Sequence, residues 1–365
     1  MSESTHRGNF SRDAIAGKLV LLYLVAIVYV SLSPFVDWRA PEGPFLSYLW
    51  APLPKYLTQF DILVNIVAYV PFGVLLDIYW RRYFASRPAL LIAIGCGVSL
   101  SLGMETAQAF LPSRIATNVD LVTNSLGVVL GASLWAGLAR HGVGPEWLAA
   151  LRRRLFLQRA GVNTGIALLA VWLISQLNPS IPFLGAGVVN NPLTDPWDMS
   201  PASPLALAPQ AAGEALNLCG VGLYLTALMQ RRATAFGLAL LLVLAAFLLK
   251  AFAASVLLKP VLFLDWMGPE TLVAIGFGLL LLAACAALPL RIRIYFAAVF
   301  ILSGAIMSKI AGRYTSLTDA LKLFSWPYGQ LLNFTGLTLY LNELWPFLAL
   351  LFLVFYFPSR SPGKS

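Results

Sequence analysis

Ionisable and amide side chains are expensive inside apolar helices, so their recurrence at helical spacing marks groups that could do chemistry. Asp61 and Asn65 stand four apart, Glu105 and Gln108 three apart, and Asp120, Asn124, Gly127 and Gly131 fall at steps of four, three and four. Each spacing puts its members on one helix face. Glu105 and Asp120 are the candidate catalytic acids or bases. Arg114, in the turn between them, is their natural countercharge through a paired guanidinium–carboxylate contact. Asp61, Asn65, Gln108 and Asn124 complete a candidate binding set with those three. Gly127 and Gly131 form a face on which another helix backbone can approach closely. Pro71-Phe72-Gly73 predicts a break or bend, because proline removes one ladder bond and glycine is permissive. Plainer roles stay open: an ion-pair network for Glu105, Arg114 and Asp120, interhelical hydrogen bonds for the amides, and a helix cap for Asp61. Cys96, Cys219 and Cys285 lie singly in apolar runs, and His6 and His141 lie outside them. No metal site and no cofactor is therefore expected.

The elements that position these groups follow from composition. The chain has 365 residues, of which 59% are hydrophobic and only 11% charged, against about 25% charged in a soluble domain. So few charges cannot cover a water-facing surface. The class is an all-α, polytopic transmembrane helical bundle, because backbone polar groups have no water partners in lipid and no alternating barrel pattern occurs. A hydrocarbon core about 30 Å thick needs roughly 20 apolar residues per helix. Ten stretches qualify: 15–33, 61–80, 88–110, 119–138, 162–178, 214–230, 235–258, 269–288, 293–310 and 338–357.

The formal charge of +9 sits in short clusters between these stretches, which reads as topogenic charge rather than a nucleic-acid surface. Arg7, Arg12 and Lys18 precede the first stretch, Arg81, Arg82 and Arg87 follow the second, and Arg140 with Arg152, Arg153 and Arg154 follow the fourth. Every second connection is basic, with Lys259, Lys309, Arg313 and Lys322 on the outer side as the exceptions, which predicts cytoplasmic termini. In that topology Asp61, Asn65, Glu105, Gln108, Asp120 and Asn124 all converge in the outer half of the membrane. Further along, Glu214 reads as a cap of the sixth stretch, and Lys250 and Lys259 as lysines snorkelling from the seventh. Trp38, Trp50, Trp197 and Trp266 read as interfacial-belt residues, and 309–337 as an amphipathic interfacial helix.

The halves share a pattern at an offset of about 150 residues, the kind of self-similarity a parallel four-span repeat leaves. Each half has a basic flank, one span, a long outer loop and a span ending in two arginines (Arg81-Arg82; Arg231-Arg232), and Asp120 aligns with Glu270. The expected organisation is a tail at 1–14, a four-span domain at 15–140, a basic cytoplasmic linker at 141–161, a second four-span domain at 162–290, and two added spans with a C-terminal tail at 291–365.

The stretches Asp61-Ile-Leu-Val-Asn65-Ile-Val-Ala-Tyr-Val-Pro71-Phe-Gly73, Glu105-Thr-Ala-Gln108 and Arg114…Asp120-Leu-Val-Thr-Asn124-Ser-Leu-Gly127-Val-Val-Leu-Gly131 resemble the VanZ family over roughly 15–140. The resemblance implies a bacterial inner-membrane protein connected with teicoplanin susceptibility. Such proteins often carry extra acids just before the position of Asp120, where this chain has Thr117 and Val119. That departure argues against a metal site of clustered carboxylates. Three functions follow as expectations. The first is an outer-facing polar crevice that engages or shields an amphiphilic envelope molecule, with membrane lipids and a lipid-linked precursor or lipoglycopeptide as partners. The second is an intramembrane enzyme on an envelope lipid, using Glu105 or Asp120 with Arg114 holding a phosphate. The third is a transporter or flippase, for which no polar track crosses the midplane. The first accounts best for the outer placement of the polar groups.

Overall fold

The computed structural model describes residues 3–41, 43–53, 59–142, 144–159, 161–185, 204–264, 266–311, 324 and 330–356. Among these residues there are eleven α-helices and no strand beyond two isolated bridges. The helices are α1 (Glu3–Leu32), α2 (Gln59–Trp80), α3 (Ser86–Gln108), α4 (Asn118–Arg140), α5 (Pro145–Leu155), α6 (Val162–Ser175), α7 (Pro204–Leu228), α8 (Arg232–Leu257), α9 (Pro269–Ala286), α10 (Leu290–Ala311) and α11 (Gln330–Leu351). Each apolar stretch read from the sequence carries one of these helices. Among the described residues, eight helices are long and apolar enough to cross a membrane, and Ala16–Leu32 and Val162–Ser175 are shorter apolar helices. The chain divides into two compact units, Met1–Arg152 and Arg153–Ser365.

The first unit is organised by the pairing of α2 with α4. Contacts of 66 with 127 and of 70 with 131 show the two helices running parallel, with α3 returning between them in sequence. Three glycines set the spacing. A Cβ at Gly127 would strike the Ile66 carbonyl oxygen, one at Gly131 the Val70 carbonyl oxygen, and one at Gly73 the Val128 carbonyl oxygen. Gly73 thus serves close approach. Of the break or bend predicted at Pro71, no break occurs, since α2 runs through that proline. A proline can be held within a helix when neighbouring helices support its sides, and the next residue, Phe72, is buried in a core with Ile27, Tyr69, Leu76, Ala93, Val128 and Ala132. From α1, Tyr23 stacks on Phe72 and donates to the Ala68 carbonyl at 2.6 Å.

The stretch read as a basic linker contains α5, whose sequence Pro-Glu-Trp-Leu-Ala-Ala-Leu-Arg-Arg-Arg-Leu is strongly amphipathic. Its short apolar face and arginine-rich face suit the plane of a membrane surface.

The second unit is built around α7, most of whose length is buried. Small residues again permit close approach: a Cβ at Gly278 of α9 would lie 2.9 Å from the Ala215 carbonyl oxygen, and one at Gly220 would lie 2.9 Å from the Ile301 backbone nitrogen of α10. The fifth stretch is shorter than read, since α6 ends at Ser175. Residues 176–184 then fold as a buried non-helical segment held by side-chain hydrogen bonds. Trp266 is 3% exposed, packed against Phe183 and Phe247, and so is a core residue rather than an interfacial one. Trp38 and Trp50 are exposed, and Trp197 lies outside the described residues. So does most of the segment 309–337.

Candidate functional site

The polar residues of the first unit meet where α2 and α4 begin and α3 ends. Thr117, in extended conformation, caps α4: its hydroxyl accepts from the Asp120 amide at 3.0 Å. The cap satisfies one of the orphan amides that every helix start leaves. Capping turns the Thr117 amide itself toward α3, where it donates to Glu105 Oε2 at 2.9 Å. Asn65 Nδ2 on α2 donates to Asp120 Oδ1 at 2.6 Å. One turn beyond Glu105, Gln108 Nε2 donates to the Ser31 carbonyl of α1 at 3.0 Å. Four helices are therefore tied together through Asn65, Glu105, Gln108, Thr117 and Asp120. Replacing Thr117 with alanine is expected to cost about 1 kcal/mol, the usual cost of a lost cap, read as a lowered midpoint in detergent unfolding of the intact protein.

Burial sorts the set. Glu105 is 1% exposed and Asn124 2%, and Asn65 and Gln108 are also buried. Asp61, Arg114, Asn118 and Asp120 remain partly exposed and form a rim. Asn118 Nδ2 donates from that rim to the Ala51 carbonyl at 2.8 Å.

Arg114 departs from its expected role. It forms no ion pair with Glu105 or Asp120; its Nη2 donates to the Ser33 carbonyl at 2.8 Å and to the Val30 carbonyl at 3.4 Å. The last carbonyls of a helix have no partners within it, and the guanidinium supplies them for α1. Burial lowers the Arg114 pKa from its usual value, though not enough to remove the charge of a guanidinium.

The opposite end of the unit is basic. Arg81 Nε donates to buried Asp77 Oδ2 at 2.6 Å and Arg81 Nη1 to Ser86 Oγ at 2.9 Å. Arg82, Arg87 and Arg140 belong to the same end, at the close of α2 and α4 and the start of α3.

A second polar centre, in the Arg153–Ser365 unit, has no counterpart in the sequence reading. Lys250 does not snorkel. It is 0% exposed, and its Nζ donates to the Asn178 carbonyl at 2.8 Å. Nor is Glu214 a cap: α7 starts at Pro204, so Glu214 is mid-helix, buried, and accepts from Gln210 Nε2 at 2.9 Å. Its carboxylate lies within Coulombic reach of Lys250. Asn178 organises the surrounding segment, accepting from Ser180 and donating to Thr338 Oγ1 at 2.9 Å. In the first unit the residues that sequence reasoning misses are Ser31, Ser101 and Thr117. Thr117 carries a signal, a capping residue just before an apolar run, and Ser101 stands one turn from Glu105.

A polytopic helical membrane protein with a partly buried polar centre between its second, third and fourth helices is the class that fold and geometry define. Residues 5–140, most of the first unit, match the family model VanZ/LLP1. No curated protein and no solved structure matches the chain.

Proposed function

We propose that the VanZ-like unit acts at the outer face of a bacterial inner membrane, with both termini in the cytoplasm. There the rim of Asp61, Asn118 and Asp120 engages the head group of an amphiphilic envelope molecule and so changes susceptibility to teicoplanin-like lipoglycopeptides. The observation that carries the reading is the division of the centre into a partly exposed acidic and amide rim and a sealed floor of Asn65, Glu105, Gln108 and Asn124. The floor holds the rim in place through Asn65–Asp120 and Glu105–Thr117. Sidedness is supported by Arg81, Arg82, Arg87 and Arg140 at the other end, which the positive-inside rule assigns to the cytoplasm. A phosphate-handling reaction finds less support, because Arg114 spends Nη2 on the carbonyls of α1.

Expression in a susceptible bacterial host tests the reading. The wild-type protein is expected to raise the inhibitory concentration of teicoplanin. Asp120→Asn and Glu105→Gln are expected to return it to the empty-vector value at normal membrane abundance. An inhibitory concentration identical for wild type and empty vector overturns the proposal.

A further inference from the structure

Below the rim, helix register brings oxygens of α3 and α4 within one turn of one another. α3 runs antiparallel to α4, since Gly97 meets the Val128 side chain while Glu105 meets the Thr117 amide. Ser101 stands four residues from both Gly97 and Glu105 on the same face of α3, which sets it opposite the Thr123–Asn124 turn of α4. α2 runs parallel to α4, since Asn65 meets Asp120 while Tyr69 meets Gly127. Asn124 therefore falls between those two contacts. Ser101 and Asn124 are both buried, and Ser101 Oγ and Asn124 Oδ1 have no hydrogen-bond partner among the described residues. Glu105 and Asp120 lie within Coulombic reach of each other, and neither makes an ion pair among those residues.

Two features need one explanation: buried oxygens with unused lone pairs, and two neighbouring carboxylates without a countercharge. Buried polar groups are normally satisfied, and buried charges are paired or bind metal ions. A cation between the helices meets both demands. The donors are carboxylate, amide and hydroxyl oxygens, with no sulfur or imidazole, which is the ligand chemistry of hard cations. No group of three or more His, Cys, Asp or Glu side chains suited to a metal occurs among the described residues, so the neutral oxygens of Ser101 and Asn124 must complete the set. We propose that a hard cation (Na⁺, Mg²⁺ or Ca²⁺) binds between α2, α3 and α4, held by Glu105, Asp120, Asn124 Oδ1 and Ser101 Oγ. The ion screens the two carboxylates from each other and locks the floor on which the rim stands. This site goes beyond the amphiphile reading and does not depend on it.

The test uses the full chain in detergent, treated with chelator and with no amphiphile present, so that its outcome is separate from teicoplanin susceptibility. Thermal unfolding is followed while NaCl, MgCl₂ or CaCl₂ is titrated against choline chloride at equal ionic strength. One of the three ions is expected to raise the midpoint saturably where choline does not. Ser101→Ala removes a hydroxyl with no hydrogen-bond partner among the described residues, and alanine suits a helix, so the variant folds. It is expected to raise the half-saturating concentration about tenfold or more, since losing even a group that only supports a ligand costs about 10–100-fold. Asn124→Ala is expected to do the same. If no ion outdoes choline, or if both variants titrate like wild type, the cation site is wrong.

Discussion

Replacing Gly131 with leucine should destabilise the first unit by about 3 kcal/mol or more, at the upper end of overpacking costs. The obstacle to a side chain there is the carbonyl oxygen of Val70, part of the α2 backbone, which cannot rotate away. The helices must separate, and separation also draws Asn65 from Asp120, a contact of 2.6 Å. At Gly137 on the same helix, a Cβ would find no atom within 4 Å. Gly137→Leu should therefore change stability by no more than about 0.5 kcal/mol, as surface substitutions usually do. Unfolding midpoints of both variants in one detergent check the contrast; equal losses would show that the α2–α4 approach is not what limits position 131.

The second large effect is expected at Lys250. Removing one member of a buried charge pair typically costs about 3–5 kcal/mol, because the other charge is left without compensation. Lys250→Met should fall in that range: Glu214 loses the ammonium in its electrostatic surroundings, and the Asn178 carbonyl loses its donor. Glu214→Gln should also destabilise, by leaving the ammonium in an apolar interior without its opposite charge. The double variant should recover much of the loss. A double-mutant cycle reads the coupling directly, and strict additivity would show that the two groups do not sense each other.

The helices are legible in the sequence because apolar length is written locally. Each of the ten stretches carries a helix, and hydrogen bonds join Asn65 to Asp120 and Glu105 to the residue that caps α4. The role of Arg114 is not legible, because the need it serves is remote: the terminal carbonyls of α1 lie 81 and 84 residues away. Lys250 is hidden for a similar reason. Its acceptor is a backbone carbonyl in the buried segment after α6, which no side-chain pattern announces. Glu214 reads as a helix start because the sixth apolar stretch begins there, whereas α7 begins at Pro204 and contains Pro209. At Gly127 and Gly131 the spacing alone points to close packing, and the α2 backbone lies against both. Gly73 shows where spacing is ambiguous, since glycine beside proline has the same signature whether it bends a helix or admits a neighbour.

Because its helices pair across an intervening one, the first unit cannot assemble in the order in which it is made. Asn65 emerges 55 residues ahead of Asp120, a gap of roughly 3–11 s at typical synthesis rates. During that interval the amide must enter the bilayer, or linger at the insertion machinery, without the acid that will hold it. Ribosome pausing between the two codons should lengthen this vulnerable period and expose the nascent chain to membrane proteases.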